Sequence, residues 1–385
     1  MNVCVVSEIR PPSHLAHAIN VVKTAGGFAR HGHGVTILCR PPEDGHATAT
    51  LAPLYGETAI EWAFAPASID ADDPAAFAHW AVAEAERRGA SLVYARHFHG
   101  AQLAAEHGLA TILETHAHAG SVNPSLDECC RTTQSYPLVI TTISERLRAD
   151  YLARGAAPGR IIITPDGVDV DLFARPEHRP NIPNPYRAFG AGPHVVYAGH
   201  LYDYKGIPTI LDGAKLAPDI TFHLVGGLRD DVERVHGLVR AGGLANVHVH
   251  GARPHTEVPA WLWHADVLLL PPSANHPSAA WTSPLKLGEY LASGMPIVAS
   301  RIPALMDWVD ERVVRWFTPD DAGSLCASVH EALSSRECEK HGRQTRAMEL
   351  AKSFSYEARA GRMLNAAGSI VADRHGQQIR LEKCA

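Results

Sequence analysis

Lysine is scarce in this 385-residue chain, with seven against twenty-eight arginines. A strongly basic balance is also missing: the formal net charge is −6 and the pI is near 6.5. That argues against a general nucleic-acid binder or an anionic-membrane binder. No stretch approaches the ~18 apolar residues of a membrane span. The start, "MNVCVVSEIRPP", reads as a short strand and a turn and not as a signal peptide, so the expected location is the cytoplasm. The seven cysteines (Cys4, Cys39, Cys129, Cys130, Cys326, Cys338, Cys384) are odd in number and show no CxxC spacing. Reduced thiols in core positions are the expectation. There is no GxxxxGK[ST] loop and no GxGxxG after the first strand, so neither a P-loop nor a nicotinamide or flavin site is supported. Short repeats and low-complexity tracts are absent.

What is present is alternation. The length exceeds one ordinary core, so two domains are expected. In the first half, "NVCVVS", "VTILCR", "SLVYARH", "ATILETH", "LVITTIS" and "RIIITPDGVD" read as buried strands. Helical segments near 16–30, 74–88, 101–107, 125–134 and 145–154 separate them. Residues 174–193 hold five prolines and few apolar side chains, which marks a linker. Alternation then restarts with "HVVYAG", "ITFHLVGG", "NVHVHGA", "DVLLLPPS" and "PIVAS", with helices near 207–216, 230–241, 256–264, 285–291 and 321–334. The tail "SFSYEARAGRMLNAAGSIV" reads as one more helix. The expected fold class is α/β, with two tandem Rossmann-like domains built on parallel sheets. The domains are placed at 1–180 and 194–353, followed by a helix and tail at 354–385.

Open parallel sheets bind ligands beyond the carboxyl ends of their strands. Four such places stand out in the second half. Gly199 and His200 follow "HVVYA" and lead to Lys205 and Gly206; Gly226 and Gly227 follow "ITFHLV"; Arg253 follows "NVHVHGA"; and Trp281, Thr282, Ser283, Lys286 and Glu289 follow "DVLLLPPS". Two of the seven lysines therefore fall in this small set. Ser283 suits a helix N-cap and Pro284 the first helical position, with Gly294 as the stop. Lys286 thus sits in the first helical turn, where a cation opposes the helix dipole. The placement makes sense if an anion binds there. In the first half, His97 with His99 and His116 with His118 follow candidate strands. Two such pairs have the ligand types of a zinc site, but no carboxylate or cysteine pattern stands beside them, so no metal is expected.

The segments "VVYAGHLYDYKGIPTIL", "ADVLLLPPS" and "SPLKLGEYLASGMPIVAS" resemble the nucleotide-sugar half of glycosyltransferase family 4, of the GT-B fold. "TTISERLRADYLARGAAPGRIIITPDGVDVDLF" and "VVKTAGGFARHGHGVTILCR" resemble parts of that family's first domain. The resemblance implies a retaining, metal-independent transfer of a hexosyl unit from a nucleoside-diphosphate sugar, with uridine the favoured base, to a hydroxylated acceptor. It implies that the final helix crosses back to the first domain. It gives Lys205 the diphosphate, Glu289 the ribose, and His116 a contact near the reacting sugar carbon. Gly199, His200, Gly206, Arg253, Trp281, Thr282, Ser283 and Lys286 complete the expected donor set. Ser13, His14, His99 and His118 lie in loops assigned to the acceptor.

Two departures matter. The family's usual arginine after the first glycine is His200, and the first glutamate of its E-x7-E motif is Trp281. Competing readings are an epimerase or hydrolase of the same fold, an inactive or partner-dependent relative, and a two-domain sugar-binding protein without catalysis. The first-domain loops carry no basic amphipathic helix, which favours a small soluble acceptor over a lipid-linked one. No nucleic-acid partner is expected.

Overall fold

Thirteen short strands occur among the described residues, and every pairing between them is parallel. The computed structural model describes the chain except for His14, 43–50, 52–53, Ala71, 119–122, 177–181, Pro284 and 383–385, and gives the backbone alone for 370–382. Two units result: Met1–Gly167 with Tyr356–Ala385, and Val168–Ser355.

The first unit carries a seven-stranded sheet: β1 (Asn2–Val6), β2 (Gly34–Cys39), β3 (Ile60–Phe64), β4 (Leu92–Ala95), β5 (Thr111–Glu114), β6 (Leu138–Thr142) and β7 (Ile161–Ile163). Their order is β3-β2-β1-β4-β5-β6-β7, so the winding direction reverses between β1 and β4. Val3, Val5 and Ile37 pack with Val21, Val22, Ala25 and Phe28 of the helix Ala16–Arg30. Ala360, Met363 and Ala367 of the last helix, Tyr356–Glu382, join that core. Gly27 permits the close approach, because a Cβ there would fall 2.4 Å from the Tyr356 carbonyl oxygen.

The second unit carries six strands: β8 (His194–Ala198), β9 (Thr221–Val225), β10 (Val247–Gly251), β11 (Val267–Leu270), β12 (Ile297–Ser300) and β13 (Arg315–Phe317). The order is β10-β9-β8-β11-β12-β13, which puts the reversal between β8 and β11. Alternate residues serve opposite faces. Val196 and Ala198 pack under Leu287, Tyr290 and Leu291 of the helix Leu285–Ser293. Val195 and Tyr197 pack under Ile207, Ile210 and Leu211 of the helix Ile207–Leu216.

One face also carries a polar line. His194 Nδ1 lies 3.0 Å from His223 Nε2, and His223 Nδ1 lies 2.9 Å from His250 Nε2. Tyr186, Phe189 and Trp261 wrap the three imidazoles. Each link holds one proton, so the chain is complete when all three rings are neutral.

The proline-rich stretch 174–193 is not the boundary between the units. Division falls at Gly167 and again at Ser355. Phe173 beside the stretch and Tyr186 within it are fully buried in the second unit, and the Tyr186 hydroxyl donates to the Trp261 carbonyl, so Tyr186 belongs to that core. Strands β3 and β13 and the helix Glu337–Ser353 are additions to the sequence expectation. Both strands are sheet edges. Six cysteines lie among the described residues, all free, and of these only Cys338 is exposed.

Candidate functional site

In the second unit the strand ends at the β8–β11 reversal gather the basic side chains. Gly199 follows β8 with φ +141°, and a Cβ there would fall 2.4 Å from Lys286 Nζ. Glycine is what lets the lysine reach the loop. Gly206, at φ +87°, backs onto the loop after β11, where a Cβ would sit 1.8 Å from the Pro271 carbonyl oxygen.

Lys286 Nζ lies 3.9 Å from the centre of the Tyr197 ring, and the Tyr197 hydroxyl donates to the His200 carbonyl at 2.5 Å. Lys205 Nζ stands 4.9 Å from the Tyr204 ring centre. Among the described residues neither lysine has a hydrogen bond or an ion pair with a carboxylate. Burial pushes the Lys286 amine well below its usual range, Lys205 adds to this, and Glu289 partly offsets it. Burial also lowers Lys205. His200 is lowered by burial, then by Lys286 and Lys205. Two lysines and an imidazole crowded at one loop form a site suited to an anion.

Glu289, one turn along the helix from Lys286, has Oε1 3.2 Å from His255 Nε2. Arg253 is exposed and lies over the Trp261 ring at 5.5 Å. Trp281 and Thr282 are half-buried, and both backbone amides donate to the Ser278 carbonyl, at 3.0 and 2.8 Å. Ser283 is half-buried as well. Pro284 lies outside the described residues. Gly294 ends the helix in the left-handed conformation, at φ +67°.

In the first unit, Glu114 at the end of β5 is the centre of a buried network. Oε1 accepts from Asn20 and Arg96, each at 3.0 Å, and Oε2 accepts from Tyr94 and Arg359. Arg359, fully buried on the last helix, also donates to the Pro165 carbonyl and to Thr24 Oγ1, both at 2.9 Å. Burial pushes the Glu114 carboxyl up, yet Arg359 and Arg96 hold it well below the usual carboxylate range. His116 Nε2 is 3.2 Å from Glu114 Oε1 and 3.9 Å from Asp166 Oδ1, close but not in line for a hydrogen bond. Asp166 is pushed up by burial, which His116 partly offsets.

Ligand atoms of Glu114, His116 and Asp166 lie within 4.8 Å of one another. Glu114 is already saturated by its donors, and two guanidinium groups there oppose a cation. His97 is occupied too: its Nδ1 accepts from the Gly100 amide at 2.9 Å and its Nε2 is 3.4 Å from Glu8. His99 is exposed and His118 half-buried. Ser13 serves its own turn, with its amide on the Tyr55 hydroxyl at 2.7 Å and its Oγ accepting from Leu15. His14 lies outside the described residues.

The structure thus draws Gly199, His200, Lys205, Gly206 and Lys286 together. Arg253 lies over Trp261, and the Trp281 and Thr282 amides are tied to Ser278. Sequence reasoning missed Tyr197, His255, Glu114 and Arg359. Glu114 stands two residues before His116 in "LETH", and Tyr197 two before Gly199. Arg359 carried no signal, because its partner is 245 residues away.

Residues 192–335 match the family described as "Glycosyl transferases group 1". The 2-deoxystreptamine glucosyltransferase of Streptomyces kanamyceticus is 28% identical over 180 residues, which is 44% of this chain and 44% of that protein. The amylovoran biosynthesis glycosyltransferase AmsK of Erwinia amylovora is 21% identical over 252 residues, 63% of this chain and 55% of that one. The chain spans about half the length of the curated relatives it matches. Among solved structures, Anabaena HepE in complex with UDP superposes with a TM-score of 0.74 at 16% identity, over 96% of this chain and 100% of that one. On these findings residues 192–335 match the group 1 glycosyl transferases, and the chain has the GT-B fold of glycosyltransferases.

Proposed function

We propose that this chain is a glycosyltransferase that moves a hexosyl unit from a nucleoside-diphosphate sugar, first among them a UDP-sugar, to a hydroxylated acceptor. The observation that carries the reading is the cluster of Lys205, Lys286 and His200 at the β8–β11 reversal, where Lys205 lowers the Lys286 amine and both lysines lower the imidazole. The group 1 match covers this unit, and HepE of the same fold has structures in complex with UDP and with UDP-glucose.

In this reading Lys205, supported by Lys286, takes the diphosphate and stabilises it as the sugar–phosphate bond breaks, in place of a metal. Glu289 holds the ribose diol, with His255 orienting its carboxylate. Gly199 and Gly206 let the backbone approach the phosphates. Trp281, Thr282 and Ser283 face the sugar and Arg253 the base. Transfer proceeds with retention, and His116 contacts the sugar near its reacting carbon. Ser13, His14, His99 and His118 belong to the acceptor loops. The name of the Streptomyces relative favours a small aminocyclitol or sugar acceptor.

Lys205→Ala tests the reading. A charge-assisted hydrogen bond is worth about 1.5–3 kcal/mol. Spent on the leaving group, that is roughly 10- to 150-fold in kcat, with a smaller change in donor affinity. Unchanged turnover would refute the assignment.

A further inference from the structure

The cluster that would hold the diphosphate also contains an imidazole, His200. Its ring is fixed by a ladder of stacked neighbours. His200 lies on Tyr202 at 5.1 Å and 10°, Tyr202 on Tyr204 at 5.5 Å and 20°, and Tyr204 on His276 at 4.2 Å and 19°. Its Nδ1 is buried and has no hydrogen-bond partner among the described residues. A buried polar atom left unpaired is costly, and a ligand atom is one way to satisfy it.

The charges facing His200 come from three elements. Lys286 comes from the helix Leu285–Ser293, Lys205 from its own loop, and Asp231 from the helix Arg229–Ala241. Asp231 is shared with Arg234, whose NH2 donates to it at 3.3 Å. Burial and the two lysines therefore prevail over Asp231, and the imidazole is neutral at rest.

We propose that His200 takes up a proton when the diphosphate binds and donates Nδ1–H to a phosphate oxygen, so that the nucleotide enters the site together with a proton. The inference rests on reading the cluster as a diphosphate site. The proton comes from solvent, and no covalent bond changes. An anion placed between the two lysines reverses the field at the ring, and an opposite charge within about 4–6 Å favours the protonated form. During transfer the departing diphosphate gains negative charge, and the imidazolium beside it would stabilise that charge where a neutral side chain would not.

The sign follows directly. The ring's pKa is higher in the complex than in the free protein. Affinity is therefore greatest at low pH and declines as pH rises through the value in the complex.

Calorimetric titration with UDP-glucose tests this. Both phosphates of that compound are esterified, so neither titrates near neutrality, and any proton taken up belongs to the protein. Near neutral pH, in buffers of different ionisation enthalpy, the apparent binding enthalpy should track the buffer, with a slope showing uptake. Affinity should weaken several-fold between about pH 6 and 8. His200→Gln should bind with a slope near zero. Clear binding with no buffer dependence would overturn the proposal. So would a slope that survives in His200→Gln. Absence of binding at every pH would overturn the diphosphate reading itself, and this inference with it.

Discussion

Acid should loosen the second unit through its histidine chain before it affects the carboxylates. His223 is fully buried, and its pKa is held at about 3 by burial and then by His250, His194 and His248. In the unfolded chain the group titrates near its ordinary value of about 6.5. Because the folded value lies below the unfolded one, the chain's contribution is intact above about pH 6.5 and is lost progressively as pH falls toward about 3. Between about pH 7 and pH 5 the unfolded state gains this proton and the folded state does not, which costs about 2 kcal/mol. His250, held at about 4, acts in the same direction. The perturbation is His223→Phe, which keeps a planar ring and removes both nitrogens. It should cost about 1–3 kcal/mol at neutral pH by leaving His194 and His250 unpaired. Its further loss on going to pH 5 should then be about 2 kcal/mol smaller than that of the parent. Urea titration followed by tryptophan fluorescence reads this, since the Trp261 ring lies 4.4 Å from the His250 ring. Equal acid losses in parent and variant would refute the argument, as would a parent whose stability is flat between those pH values.

Further outcomes follow from the same structure. Arg359→Met should lower the melting temperature of the first unit sharply, because removing one partner of a buried ion pair costs about 3–5 kcal/mol. Both Arg359 and Glu114 side chains are fully buried, so an unchanged melting curve would contradict the network. Gly206→Ala should abolish nucleotide binding or soluble expression, since the added methyl meets the Pro271 carbonyl oxygen at 1.8 Å and the backbone is left-handed; normal binding would refute the packing argument. Glu289→Gln should weaken a nucleotide sugar by about 10-fold or more while retaining the fold, as measured by calorimetry.

The alternation of strands and helices was legible because buried parallel strands are short apolar runs with turn residues at their ends. The edges were not. β3 reads "IEWAF", with Glu61 exposed at its second position, and β13 is only "RWF", so neither shows a buried run. The 174–193 stretch misled for a related reason. Five prolines outweighed two aromatics, yet Phe173 beside the stretch and Tyr186 within it are what anchor that backbone. Lys205 and Lys286 were readable because a parallel strand announces where its loop will open. The closeness of Lys286 to Gly199 was not, since it depends on the β8–β11 reversal. Glu114 and Arg359 are 245 residues apart, and no local pattern couples them.

The central claim is that the second unit holds a nucleoside diphosphate on Lys205, Lys286 and Glu289. Thermal-shift titration with UDP, GDP, ADP and dTDP and their hexose conjugates, run beside Glu289→Ala, tests it most directly. A ligand at about 100 times its Kd stabilises the fold by about 2.7 kcal/mol. The account predicts a rise in melting temperature with the uridine series that Glu289→Ala abolishes. No rise with any nucleotide would contradict it.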